Sequence, residues 1–223
     1  MCGRFTLTEE IDFLQGRFEF ETMQIDFKPR YNIAPGQDSL VVAKDSRRRL
    51  LMMRWGLIPT WAKEASVGYK MINARSETLT EKPSFRNLYR SRRCLVLADG
   101  FYEWKKKKNV KTKVPMRFVL KSQEPFAFAG LWNIWQSPEG DELCTFTIIT
   151  TEANDIVKPY HDRMPVILKR ESEEEWIDPE IKDAKKLSTH LHPYPPELMV
   201  SYPVSTIVNS ARNDSPECIK KIG

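Results

Sequence analysis

The chain has 223 residues, of which 41% are hydrophobic and 29% charged, the balance of an ordinary globular protein rather than a disordered one. Lys and Arg total 35 against 30 acidic residues, and the resulting net charge of +5 permits a polyanionic partner without requiring one. No apolar stretch is long enough to cross a bilayer, and charges stand at the N-terminus where a signal peptide needs apolar residues, so neither leader nor membrane partner is expected.

Taken in chain order, Thr8-Glu-Glu10 reads as a helix start, with Ile11, Leu14 and Phe18 at helical spacing behind it. Arg30–Gly36 reads as a loop, and Ser39–Ala43 with Leu50–Arg54 as a hairpin. Cys94–Ala98, Phe101–Trp104, Val114–Leu120, Phe126–Leu131 and Leu143–Thr150 are strand candidates rich in β-branched and aromatic residues. Short helices are expected over Ser84–Tyr89, Glu152–Val157, Glu171–Trp176 and Asp183–Leu187. With no repeat, linker or βαβ alternation, the expectation is one domain over 1–223, α+β, around a curved or barrel-like sheet. Between Arg86 and Arg117 eleven basic residues face two acids, a local charge of +9 that suits a polyanion; Lys105–Lys108 alone reads as a solvated hairpin tip.

Cysteines at 2, 94, 144 and 218 form no CxxC pair, which suits reduced thiols in a cytoplasmic compartment, and the three histidines lie at no zinc spacing with a cysteine, so no metal is expected. Cys2 is the most unusual residue. Removal of Met1 would leave an α-amine and a thiol on adjacent carbons, a pair that condenses with an aldehyde to an imine and then closes to a thiazolidine. The α-amine titrates at about 7.7–8.0 in reference peptides, so part of it is nucleophilic at neutral pH. Glu103, between Tyr102 and Trp104, is either a structural carboxylate or an acid/base tuned by burial. The pairs Cys2-x-Arg4, Asn73-x-Arg75 and His161-x-Arg163 each set a guanidinium beside a candidate reactive group; in extended chain, residues two apart share a face at roughly 7 Å.

Met1-Cys-Gly-Arg-Phe5, Arg30–Gly36, Arg54–Trp61, Ile72–Thr78, Ala98–Trp104, Phe128–Trp132 and His161–Leu168 together closely resemble the SRAP (SOS-response-associated peptidase) family, in order along nearly the whole chain. Val96-Leu97 stands where the family more often has Ile-Pro, a change in a strand rather than in a reactive group. The resemblance implies a sensor of abasic sites in single-stranded DNA that crosslinks itself to them through Cys2. It implies that Asn73 orients the Cys2 amine and the sugar, that Glu103 shuttles protons, and that His161 assists sugar ring opening and adduct release. Arg4, Arg75 and Arg163 match positions near phosphates, Trp61, Trp104 and Pro35 match the groove wall, and Thr150 is a further DNA contact. The implied fold is α+β around a distorted, mostly antiparallel barrel with short peripheral helices; a monomer is expected, nucleoid-associated in a bacterial cell, and no cofactor is implied. Two other readings compete: a thiol peptidase using Cys2, His161 and Asn73, and a plain single-stranded DNA-binding module.

Overall fold

Runs of β-branched and aromatic residues build nearly all of the framework. The computed structural model describes residues 2–21, 25–105 and 114–222. In chain order the elements are β1 (Phe5–Leu7), α1 (Ile11–Phe18), β2 (Arg30–Ile33), β3 (Asp38–Lys44), β4 (Arg48–Trp55), β5 (Asn73–Arg75), α2 (Arg86–Ser91), β6 (Arg93–Ala98), β7 (Gly100–Lys105) and β8 (Val114–Leu120). They continue with β9 (Phe126–Gln136), β10 (Glu142–Glu152), β11 (Arg163–Pro165), α3 (Arg170–Ile177), α4 (Ala184–Ser188) and β12 (Met199–Pro203).

Five of these strands close on themselves. β4 pairs parallel with β10, β10 antiparallel with β9, β9 with β6, β6 with β3, and β3 back with β4. Closure removes the exposed edges that an open sheet would present. The far end of β10 extends past the ring and carries β5 and β11. A second sheet, in the order β12-β8-β7-β1-β2, is antiparallel throughout. The α+β, mostly antiparallel barrel expected from the sequence is therefore what forms.

Phe5 joins the two sheets. Its ring lies edge-on to Trp55 of β4 at 5.1 Å and to Phe128 of β9 at 5.8 Å, and Trp55 in turn stacks on Phe146 of β10 at 6.4 Å. All four side chains are fully buried, each contributing on the order of 2–3 kcal/mol by area. The N-terminal segment is further fixed by the buried carboxylate of Asp99, which accepts hydrogen bonds from the Thr6 hydroxyl, the Thr8 amide and hydroxyl, and Arg117. Phe5 and Asp99 thus hold the chain rigidly within a few residues of Cys2.

Some local expectations are corrected. Thr8 does not start α1, because its hydroxyl bonds Asp99; the helix begins at Ile11 behind Glu10, whose side chain makes no cap bond. Arg30–Ile33 is a strand rather than loop, since β1 pairs with it and Asp214 accepts from the Tyr31 and Asn32 amides. Glu152–Val157 is not helical. Glu152 stays in β10, and the Asn154 side chain accepts from Val157 N while donating to Tyr194 O, which makes a turn instead. The other short helices form within a few residues of expectation. The Lys105–Lys108 run, apart from the backbone of Lys105, lies outside the described residues.

Candidate active site

The N-terminal segment runs along β7: Phe5 pairs with Phe101, and the Tyr102 amide donates to Arg4 O at 3.0 Å. That register brings Cys2 and Glu103 together. Cys2 is fully buried, with Sγ 3.8 Å from its Arg4 O acceptor. Burial, and then the negative charge of Glu103, push its thiol well above the ordinary range. Asn73, placed by the pairing of β5 with β10, donates from Nδ2 to the Cys2 carbonyl at 2.8 Å across 71 residues. The Asn73 Oδ1 atom is buried and has no hydrogen-bond partner among the described residues. A buried acceptor without a donor is a cost that a ligand can remove. Glu103 is 5% exposed, and burial pushes its carboxyl up to about 7, with the charge of Asp162 adding to the rise.

His161 follows the turn after β10, beside a cavity of about 590 Å³ bounded by Glu152, Lys158, Tyr160 and Asp162. The Arg163 amide donates to His161 Nδ1 at 2.9 Å, and the Asp162 carboxylate lies 2.8 Å from the same nitrogen. A single nitrogen cannot accept from one and donate to the other at once. The amide is fixed in the backbone, whereas Asp162 is 86% exposed and well solvated. A neutral His161 that accepts from this amide at Nδ1 carries its proton on Nε2. Asp162 thus lies against His161 and also adds to the upward shift of Glu103.

The other predicted residues fall into three groups. Around the end of β10, Arg75 pairs in register with Thr150; it is exposed and has no ion-pair partner among the described residues. Arg163 is held by both oxygens of Glu77, at 2.6 and 2.9 Å, and by Thr150 O at 2.5 Å. The Thr150 hydroxyl is fully buried without a hydrogen-bond partner among the described residues. Along the C-terminal segment, Arg4 donates to Asn32 Oδ1, Val208 O and Asn209 O and lies over the Trp104 ring at 5.9 Å; Trp104 donates to Asn209 Oδ1. Pro35 occupies the turn after β2, and Trp61, 64% exposed, stands on the connection between β4 and β5.

Sequence reasoning missed Glu77, Asp162 and Asn209 as partners of these groups. Glu77 and Asp162 sit within the same short stretches as Arg75 and His161, so their charge next to a named residue was the available signal. Asn209 offered none, because it reaches Trp104 from a segment 105 residues distant.

Residues 1–211 match the family described as SOS response associated peptidase (SRAP). The chain is 51% identical over 223 residues to the abasic site processing protein YoqW of Bacillus subtilis, covering 99% of each. It is 37% identical over 229 residues to the abasic site processing protein HMCES of Xenopus tropicalis, covering 88% of this chain and 67% of that protein. A crystal structure of a Bacteroides thetaiotaomicron protein superposes with a TM-score of 0.89 at 25% identity, covering 99% of this chain and all of that one. With Cys2, Asn73, Glu103 and His161 on one scaffold and this likeness along the whole chain, the protein belongs to the SRAP family.

Proposed function

We propose that the protein recognises abasic sites in single-stranded DNA and joins itself to them through Cys2, forming a thiazolidine after Met1 is removed. The observation that carries this reading is the grouping of Cys2, the Asn73 amide on its carbonyl and the buried Glu103 carboxyl. Once Met1 leaves, the Cys2 amine attacks the aldehyde carbon of the open sugar, and the carbinolamine loses water to give an imine. The thiol then adds to the imine carbon while its proton passes to the nitrogen, so the ring closes without any change of oxidation state. A carboxyl with a pKa of about 7 is suited to give a proton to the departing water and to take one from the thiol. Asn73 Oδ1 has unused capacity to accept from the new amine, and neutral His161 carries on Nε2 a proton for opening the closed sugar.

The thiol's environment counts against a general peptidase. Such an enzyme needs a thiolate beside an imidazolium, whereas burial and the Glu103 charge hold Cys2 protonated and its Sγ is directed to Arg4 O. Exposed Arg75 supports a DNA backbone contact, and relatives named abasic site processing proteins support the lesion as substrate. The test is a denaturing gel with single-stranded DNA carrying an abasic site, alongside intact mass. Protein lacking Met1 should give a covalent band stable without borohydride, and Cys2→Ala should give only a borohydride-dependent one. A durable adduct from Cys2→Ala, or from protein that keeps Met1, overturns the mechanism.

A further inference from the structure

Away from Cys2, a small cleft opens between the turn after β2 and the connection that leads into β5. It measures about 200 Å³ and is bounded by Gly36, Arg54, Trp55, Gly56, Ser66 and Tyr69. This is below the roughly 300–1,000 Å³ of pockets that hold a whole small molecule, and it suits one flat heterocycle. Its walls depend on glycine. Gly36 and Gly56 have φ of +85° and +125°, and a Cβ on Gly56 would lie 2.7 Å from Gly68 O. A Cβ on Gly36 would lie 2.8 Å from Tyr69 Cε1, so the tyrosine ring rests directly on backbone. Tyr69 is nonetheless 67% exposed, and with Trp61 at 64% it is one of two large aromatic side chains left in solvent on this connection. At the rim, the Arg54 guanidinium is 43% exposed and its Nε lies 3.6 Å from Asp38, beyond hydrogen-bond reach.

We propose that this cleft is a stacking pocket for one unpaired base flanking the lesion, an inference that rests on the single-stranded DNA reading above. An aromatic ring lying on the Gly36 backbone, beside a half-exposed guanidinium whose ion pair with Asp38 is too long for a hydrogen bond, matches a base and its neighbouring phosphate. The cleft is also coupled to the active site through its floor: Trp55 Nε1 donates to Ile72 O at 2.9 Å, the residue before Asn73. Tyr69 itself precedes Asn73 by four residues. A base seated on Tyr69 would set the register of the strand, so that the neighbouring baseless sugar arrives at Cys2.

The experiment is a coupling measurement with single strands that carry a tetrahydrofuran abasic analogue, which has no aldehyde and reports binding alone. Each base flanking the analogue is removed in turn, and affinity is compared between wild type, Tyr69→Ala and Tyr69→Phe. Removal of one particular base should weaken wild type and Tyr69→Phe by roughly 5- to 150-fold and leave Tyr69→Ala insensitive to that base. Equal losses in wild type and Tyr69→Ala at every flanking position overturn the pocket while leaving the proposed function standing. Wild-type protein that grips none of these strands, yet has its native thermal transition, overturns the proposed function itself.

Discussion

Glu103 is a residue whose environment works against stability and suits the proton transfers proposed for it. Its carboxyl is raised from 4.5 to about 7, chiefly by burial. Between those values the folded chain binds more protons at this site than the unfolded chain does. The contribution of this site to stability is therefore greatest below about pH 4.5, falls as the pH rises through 7, and is not recovered above, a loss on the order of 3 kcal/mol. Glu103→Gln removes that penalty. At pH 8 it should raise the melting temperature by about 5–10 °C, with little difference from wild type near pH 4.5, as calorimetry across pH would report. The same variant should crosslink about 10²–10⁴-fold more slowly at pH 7, and its rate profile should lack the inflection near pH 7 that wild type shows. Unchanged rates across the whole range would make Glu103 a structural carboxylate. The reactive residue types were legible in the sequence at this scale, because a cysteine at position 2 and a glutamate between aromatics are chemically conspicuous. Their contacts were not legible, since the Asn73 bond to Cys2 spans 71 residues and depends on the β5–β10 register.

At the scale of elements, β5 and β11 flank the end of β10, and the Glu77–Arg163 ion pair ties the turn that follows β5 to β11. Hydrogen bonds from Arg163 hold the Glu77 carboxyl below its usual range. Glu77 is half exposed, so the pair itself adds at most about 1 kcal/mol to stability. If Arg163 contacts DNA as proposed, the larger effect of the pair is to occupy a guanidinium that a phosphate would otherwise take. Glu77→Gln should tighten single-stranded DNA binding several-fold, and Arg163→Ala should reduce the steepness of the salt dependence by about one unit or slightly less. Titrations of both variants over a salt series check this; no gain for Glu77→Gln would make Arg163 a strut between strands. These short strands escaped the sequence, because Asn73-Ala-Arg75 and Arg163-Met-Pro165 are too brief for a period of two to show. The long runs, β8 at Val114–Leu120 above all, were legible because each residue type there favours a pleated, buried surface.

For the whole molecule, the C-terminal segment acts as a clamp. Asp214 accepts from Arg30 and from the Tyr31 and Asn32 amides, and the Asn32 side chain donates to the carbonyls of Val208, Ser210 and Asn213. Val208 O, one of those carbonyls, also accepts from Arg4, as does the neighbouring Asn209 O. Asp214→Ala leaves two backbone amides without their acceptor, a loss of about 1–3 kcal/mol, and should lower the melting temperature by about 2–10 °C. Because Arg4 then loses its support two residues from Cys2, crosslinking should slow as well. A stability loss with wild-type crosslinking would separate the clamp from the site.

The depth at which Cys2 lies has a bearing on how such a protein survives inside a cell. Peroxides and alkylating electrophiles attack thiolates that solvent can reach, and Cys2 is neither ionised nor accessible. In the proposed reaction this withholds the thiol from casual reagents and leaves it for an aldehyde that the amine has first captured. Iodoacetamide at neutral pH should accordingly label half-buried Cys144 first, with Cys2 reacting at a comparable rate only after denaturation, as peptide mass mapping would resolve. On the proposed mechanism the adduct consumes the molecule, so a buried thiol would preserve its single chance to react until a lesion arrives.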